Sequence, residues 1–146
     1  MITKIFGSRN ERMVTRYTAR VQAIGELEGQ MRALTDEQLR AKTEEFRKRI
    51  EEGATAMSVL NEVFAVAREA MDRNVGMRNV FNPAHADRFP LGEMPAAARE
   101  AYERTKAAMD AAEAREPKDD LLGNTEPLPA WVWMDIPNEV YDAVRE

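Results

Sequence analysis

Ser8-Arg9-Asn10-Glu11-Arg12-Met13-Val14-Thr15-Arg16-Tyr17-Thr18-Ala19-Arg20-Val21-Gln22-Ala23-Ile24 is the stretch from which the fold is read. Ser8 is a good N-cap, and Glu11 three residues later completes a capping box that satisfies two backbone donors. Met13, Tyr17, Val21 and Ile24 then fall on one stripe at 100° per residue, continued by Leu27, Met31 and Leu34. The predicted helix runs from Arg9 to Leu34 and is about 39 Å long at a rise of 1.5 Å per residue. Gly25 and Gly29 interrupt it away from the apolar stripe, each costing about 1 kcal/mol relative to Ala and marking a flexible point.

Upstream, Ile2, Ile5 and Phe6 with Lys4 form a small apolar plug with a cationic handle, which Gly7 ends. Arg9, Arg12, Arg16 and Arg20 make a basic row at helical spacing, about 90° around the helix from the Met13/Tyr17 stripe. The row has two readings: an ordinary solvated face, or a surface for an anionic partner such as lipid headgroups or an acidic protein. The net charge of -5 hides an asymmetry. Residues 1–80 hold 14 Lys/Arg against 12 Asp/Glu, whereas residues 81–146 hold 7 against 14. An acidic second half, and few aromatics among the arginines, argue against nucleic acid as a partner.

Downstream, Thr35-Asp36-Glu37-Gln38 is a second capping box, opening a helix on Leu39, Thr43, Phe46 and Ile50 that Gly53 closes. A short turn between these helices predicts an antiparallel hairpin. A third helix starts near Ser58 and runs to about Asn74. Leu60, Val63, Phe64, Ala67 and Met71 line one face and Val59, Val66 and Ala70 widen it, so it is expected to be the most buried helix. A loop extends from Val80 to Met94, then Pro95 opens an Ala-rich helix to about Arg115. Its thin apolar face (Ala98, Tyr102, Thr105, Met109, Ala112) reads as a cover, with Glu100/Arg104 and Lys106/Asp110 as i,i+4 pairs. After a loop from Pro117 to Pro129 come Trp131-Val132-Trp133 and a last helix opened by Pro137, which has no stop signal before Glu146 and reads as cut off. The fold class is all-α, with a helical region over 1–80 and an acidic, insertion-like region over 81–146.

Chemistry is sparse. No cysteine is present, which excludes disulfides and thiolate metal sites and makes a reducing cytoplasm the default compartment. No glycine is followed by lysine, so no GxxxxGK phosphate loop exists in this sequence. Asp36-Glu37 sit in the first turn of a helix, where acids favour the macrodipole, so a metal-binding pair is the lesser reading. His85 is the single histidine and reads as a solvated loop residue. No catalytic residue, cofactor or metal ligand is expected from this chain itself. Trp131 and Trp133, read as extended, point to one side; they cap this chain's own hydrophobic cluster or dock on something else.

Several separated blocks agree with one family. Phe6-Gly7-Ser8-Arg9-Asn10, Leu34-Thr35-Asp36-Glu37-Gln38-Leu39, Lys42-Thr43-Glu44-Glu45-Phe46-Arg47, Glu62-Val63-Phe64-Ala65-Val66-Ala67-Arg68-Glu69-Ala70 and Gly76-Met77-Arg78 resemble the N-terminus of SecA, the ATPase motor of bacterial preprotein export. The resemblance covers residues 1–80. It implies a cytoplasmic protein, peripheral on the inner face of the plasma membrane, that meets anionic phospholipid and a SecY-type channel. Preprotein would be handled through the parent motor, with ATP and Mg as the family's cofactors, and a homo-oligomer is a further expected partner. The family's docking role would fall on Ile2, Lys4, Ile5, Phe6, Arg9, Arg12, Arg16 and Arg20. Met77 matches a position beside the family's adenine pocket, but the Phe-Asp-x-Gln segment and phosphate loop that come next in the family are missing here. Residues 81–146 resemble an insertion placed before those motifs. The competing expectation is a stand-alone helical adaptor that works through its Trp tail and long helix.

Overall fold

A computed structural model describes residues 9–116 and 126–145. The described chain is all-α, with a long N-terminal helical hairpin and later helices. Helix α1 spans Arg9–Gly25 and a short α2 spans Glu28–Arg32. The single predicted helix from Arg9 to Leu34 is therefore two, and the break falls where Gly25 removes a side chain and lowers helix propensity. Ser8 and the apolar plug Ile2, Ile5 and Phe6 with Lys4 lie outside the described residues.

Helix α3, Asp36–Glu51, begins as its sequence requires. Thr35 Oγ1 accepts from the Gln38 amide at 3.2 Å and the Thr35 amide donates to Gln38 Oε1 at 2.9 Å, a complete capping box. It ends on Gly53 at φ +104°, with the Gly53 amide donating to the Ile50 carbonyl and the Ala54 amide to that of Arg49, the two bonds of a Schellman motif. Helix α4, Ala56–Met71, starts slightly earlier than predicted because Thr55 supplies the N-cap. It winds on through a π-helical turn, Asp72–Gly76, into a 3₁₀ segment, Met77–Phe81. Helix α4 packs against α1, α2 and α3.

Its position as a hub does not make α4 the most buried helix, which corrects the expectation. It turns Val59, Ala65 and Glu69 inward, while Phe64 is 52% and Met71 64% exposed. The apolar girth is wider than the neighbouring helices can cover. The small cluster here is Met31, Leu39 and Ala65, joined by Ile24, Leu27, Leu34, Val66 and Ala70.

The larger core joins the end of the N-terminal region to the second half of the chain. Met77, Val80 and Phe81 pack with Met94, Ala101, Tyr102, Met109, Ala130, Ile136, Val140 and Tyr141. Helix α5, Ala96–Ala111, contributes Ala98, Ala101, Tyr102, Thr105 and Met109 to the interior, so it is a core element and not the cover its composition suggested. Alanine is the reason: small side chains let the helix approach closely, and Tyr102 then stacks on Phe81 at 4.8 Å between ring centroids. Both predicted i,i+4 pairs on its outer face are present, Lys106–Asp110 at 2.6 Å and Glu100–Arg104 at 3.8 Å.

Arg115 and Leu128 exchange backbone hydrogen bonds across an isolated antiparallel bridge. Then α6, Ala130–Trp133, places Trp131 and Trp133 on a helix and not on an extended strand. Residues two apart on a helix point about 200° apart, so the rings do not share a side as expected. Both are half-buried against the larger core, and the Arg115 guanidinium lies 3.4 Å from the Trp133 ring centroid. Helix α7, Asn138–Arg145, comes directly after Pro137 and buries Val140 and Tyr141.

Candidate functional site

Two features stand out, one buried and one exposed. The buried one begins with Asp36, in the first turn of α3. Its Oδ1 accepts from Arg73 Nη1 at 2.9 Å. Its Oδ2 accepts from the Tyr141 hydroxyl at 2.9 Å, the Ile136 amide at 3.2 Å and Arg78 Nη2 at 3.3 Å. Arg73 reaches back four residues to Glu69 at 2.7 Å, and Arg145 clasps the same carboxylate with two bonds of 2.6 and 2.9 Å. Other guanidinium donors reach backbone, Arg73 to the Leu34 carbonyl at 2.8 Å and Arg78 to those of Met134 at 2.6 Å and Trp131 at 3.0 Å. Arg78 Nε donates to Asn74 Oδ1 at 3.1 Å, and Arg145 Nε is buried without an acceptor among the described residues.

Arg73 is only 1% exposed, and its guanidinium also stacks over the Tyr141 ring. Charges so deep in the protein persist only when paired and fully hydrogen-bonded. The two carboxylates face three guanidiniums, and carbonyl oxygens with the Asn74 side chain take up most of the excess donors. Burial alone would raise the Glu69 carboxyl, but the hydrogen bonds from Arg145 and Arg73 more than reverse it and hold the group below the usual carboxylate range. Burial pushes the Tyr141 phenol far upward, so it stays protonated and donates to Asp36.

The sequence reading missed this network. It placed Asp36 among ordinary first-turn acids. The available signal was Glu69 near the end of α4 and Arg73 in the turn that continues it, four residues apart and so able to pair on one helical face. With Asp36 and Glu69 committed to guanidiniums, the described residues contain no group of three or more metal-ligating side chains.

The exposed feature is the first half of α1. Every side chain from Glu11 to Ala19 is exposed. The predicted apolar stripe faces outward, with Met13 44%, Tyr17 57% and Val21 63% accessible, and Val14 beside it. Only near Ile24 does the stripe enter the small core. Arg12 and Arg16 are exposed alongside it and Arg20 is half-buried. Arg9 is the first residue of the helix. Among the described residues no helix is long and apolar enough to cross a membrane.

Met77 is buried beside Val80 and Phe81. It borders an open cavity of about 760 Å³ whose rim carries Glu28, Arg32, Asp72 and Arg145. Charges of both signs ring this cavity, and this sequence has no glycine-lysine phosphate loop. His85 is half-buried in the loop before α5.

The described residues thus form an all-α unit with a buried ionic centre and an outward-facing amphipathic helix. Its kinship is specific. Residues 2–82 match the SecA DEAD-like domain, and the chain belongs to that family. The protein translocase subunit SecA of Methylobacillus flagellatus is 51% identical over 94 residues, which is 64% of this chain and 10% of the relative. The same subunit from Stutzerimonas stutzeri is 53% identical, and that from Pseudomonas savastanoi pv. phaseolicola 56%, each over 79 residues that cover 54% of this chain and 9% of the relative. The chain thus spans about a tenth of the length of these curated relatives. No solved structure matches it.

Proposed function

We propose that this chain is the N-terminal docking part of a SecA-like translocase motor, which binds anionic lipid and the translocation channel during ATP-driven preprotein export. The observation that carries the proposal is the exposed half of α1, where Met13, Tyr17 and Val21 stand uncovered next to Arg12 and Arg16. An amphipathic helix with this pairing lies at a lipid interface by burying its apolar stripe among acyl chains while its arginines meet headgroup phosphates. Lys4, Arg9 and Arg20 extend the positive charge to both sides, and Ile2, Ile5 and Phe6 add apolar contact ahead of the helix. Hydrolysis of ATP with Mg, and the handling of preprotein, belong to the rest of such a motor. The corresponding location is cytoplasmic, peripheral on the inner face of the plasma membrane.

The adaptor reading draws less support, because Trp131 and Trp133 are half-buried on this chain's own core. Sedimentation with vesicles tests the proposal. The full chain should pellet with phosphatidylglycerol vesicles and far less with neutral phosphatidylcholine, and Arg12→Glu with Arg16→Glu should abolish the difference. Equal binding to both vesicle types, or no loss in the charge-reversed variant, overturns it.

A further inference from the structure

We infer that residues 129–145 are a resident ligand of a binding seat on the family segment, and that this seat makes residues 9–82 and 129–145 one cooperative unit. The four charged groups of the seat, Asp36, Glu69, Arg73 and Arg78, all lie inside the matched stretch 2–82. The groups that complete them lie outside it. The Trp131 and Met134 carbonyls accept from Arg78, the Ile136 amide and Tyr141 hydroxyl donate to Asp36, and Arg145 closes on Glu69. Asn138 adds a donor to the Ala33 carbonyl at 3.1 Å, at the end of α2.

Without the tail, the seat is two carboxylates and two guanidiniums, neutral overall but short of partners. What it recognises is therefore geometry: a bend that offers bare carbonyls and an amide, then a helical turn with Tyr and Arg four residues apart. Tyr141 and Arg145 meet that requirement, and the apolar flank, Ile136 and Val140, joins Val80 and Phe81 in the larger core. The ion pair of the network that joins tail to seat, Arg145–Glu69, is shielded, with side chains 15% and 3% exposed, so salt should screen it less than the exposed Arg40–Asp135 pair that also ties the tail to α3.

The chain supplies its own probe. Its two tryptophans are Trp131 and Trp133, both in the tail, and it has no cysteine. A fluorophore on Met57→Cys, an exposed site on α4, reports the family segment separately. In urea, the tryptophan signal and the α4 signal should change at one midpoint. Arg145→Gln should lower both together by about 1 M. Tyr141→Phe is the milder variant, expected to lower both by less. In the cycle of Glu69→Gln with Arg145→Gln, the double variant should lose clearly less than the sum of the singles. A tail transition that precedes the α4 transition, or additive losses in the cycle, overturns the inference.

Discussion

Asp36 receives bonds from four groups, the farthest 105 residues along the chain, so its removal takes the anion from buried Arg78 and leaves buried Arg73 with Glu69 alone. Asp36→Ala should cost about 3–5 kcal/mol of unfolding free energy, measured by urea denaturation. Tyr141→Phe, which removes a single hydroxyl, should cost about 1 kcal/mol. Glu69 makes the network pH-dependent in a definite direction. Its folded carboxyl titrates below the ordinary value near 4.5, so its stabilising contribution is fully present above that value and declines as pH falls through the lower folded one. Denaturation midpoints should therefore fall from pH 5 to pH 3, with a shallower slope in Glu69→Gln. Little of this partnering was legible from sequence. The i,i+4 spacing of Glu69 and Arg73 could announce a local pair, but the third and fourth members arrive from residues 36 and 145, and nothing in sequence encodes a meeting of that length.

Local signals decided the elements where the chemistry is local. The Thr35 capping box, the Gly53 stop, the Pro95 start and the two i,i+4 pairs on α5 are all where the residues place them, because each involves neighbours within four positions. Gly53→Ala would force an alanine to φ near +104° and should cost about 1–2 kcal/mol in thermal melts. Gly25→Ala should do the reverse. A Cβ there meets nothing within 4 Å, so the variant should gain up to about 1 kcal/mol of stability and added helicity by circular dichroism. Which face of a helix is covered was less legible. Hydrophobicity alone suggested that α4 is the most buried helix and α5 a cover, but burial depends on what packs alongside, and alanine brings α5 into the core by allowing close approach. For α1 the exposed stripe has a direct consequence: Tyr17→Ser with Val21→Ser should change stability by no more than about 0.5 kcal/mol yet weaken anionic-vesicle binding. Loss of stability comparable to a core substitution would mean that the stripe packs within the chain.

For the molecule as a whole, the family kinship lies in one half, while the largest apolar core is shared by both. The blocks that resemble SecA lie in residues 1–80, and the match at 2–82 bears that resemblance out. What sequence left open was how residues 81–146 relate to it. The tail grips Asp36 and Glu69, and none of its hydrogen bonds in the ionic network reaches the open half of α1. The proposed docking runs through that uncovered helix. The chain's lack of cysteine allows a direct test with an environment-sensitive fluorophore on Tyr17→Cys, with Glu103→Cys on the exposed face of α5 as the control position. On adding phosphatidylglycerol vesicles, the label at position 17 should shift to the blue and the label at 103 should not, with neither responding to phosphatidylcholine. No shift at 17, or the same shift at both positions, contradicts docking through α1.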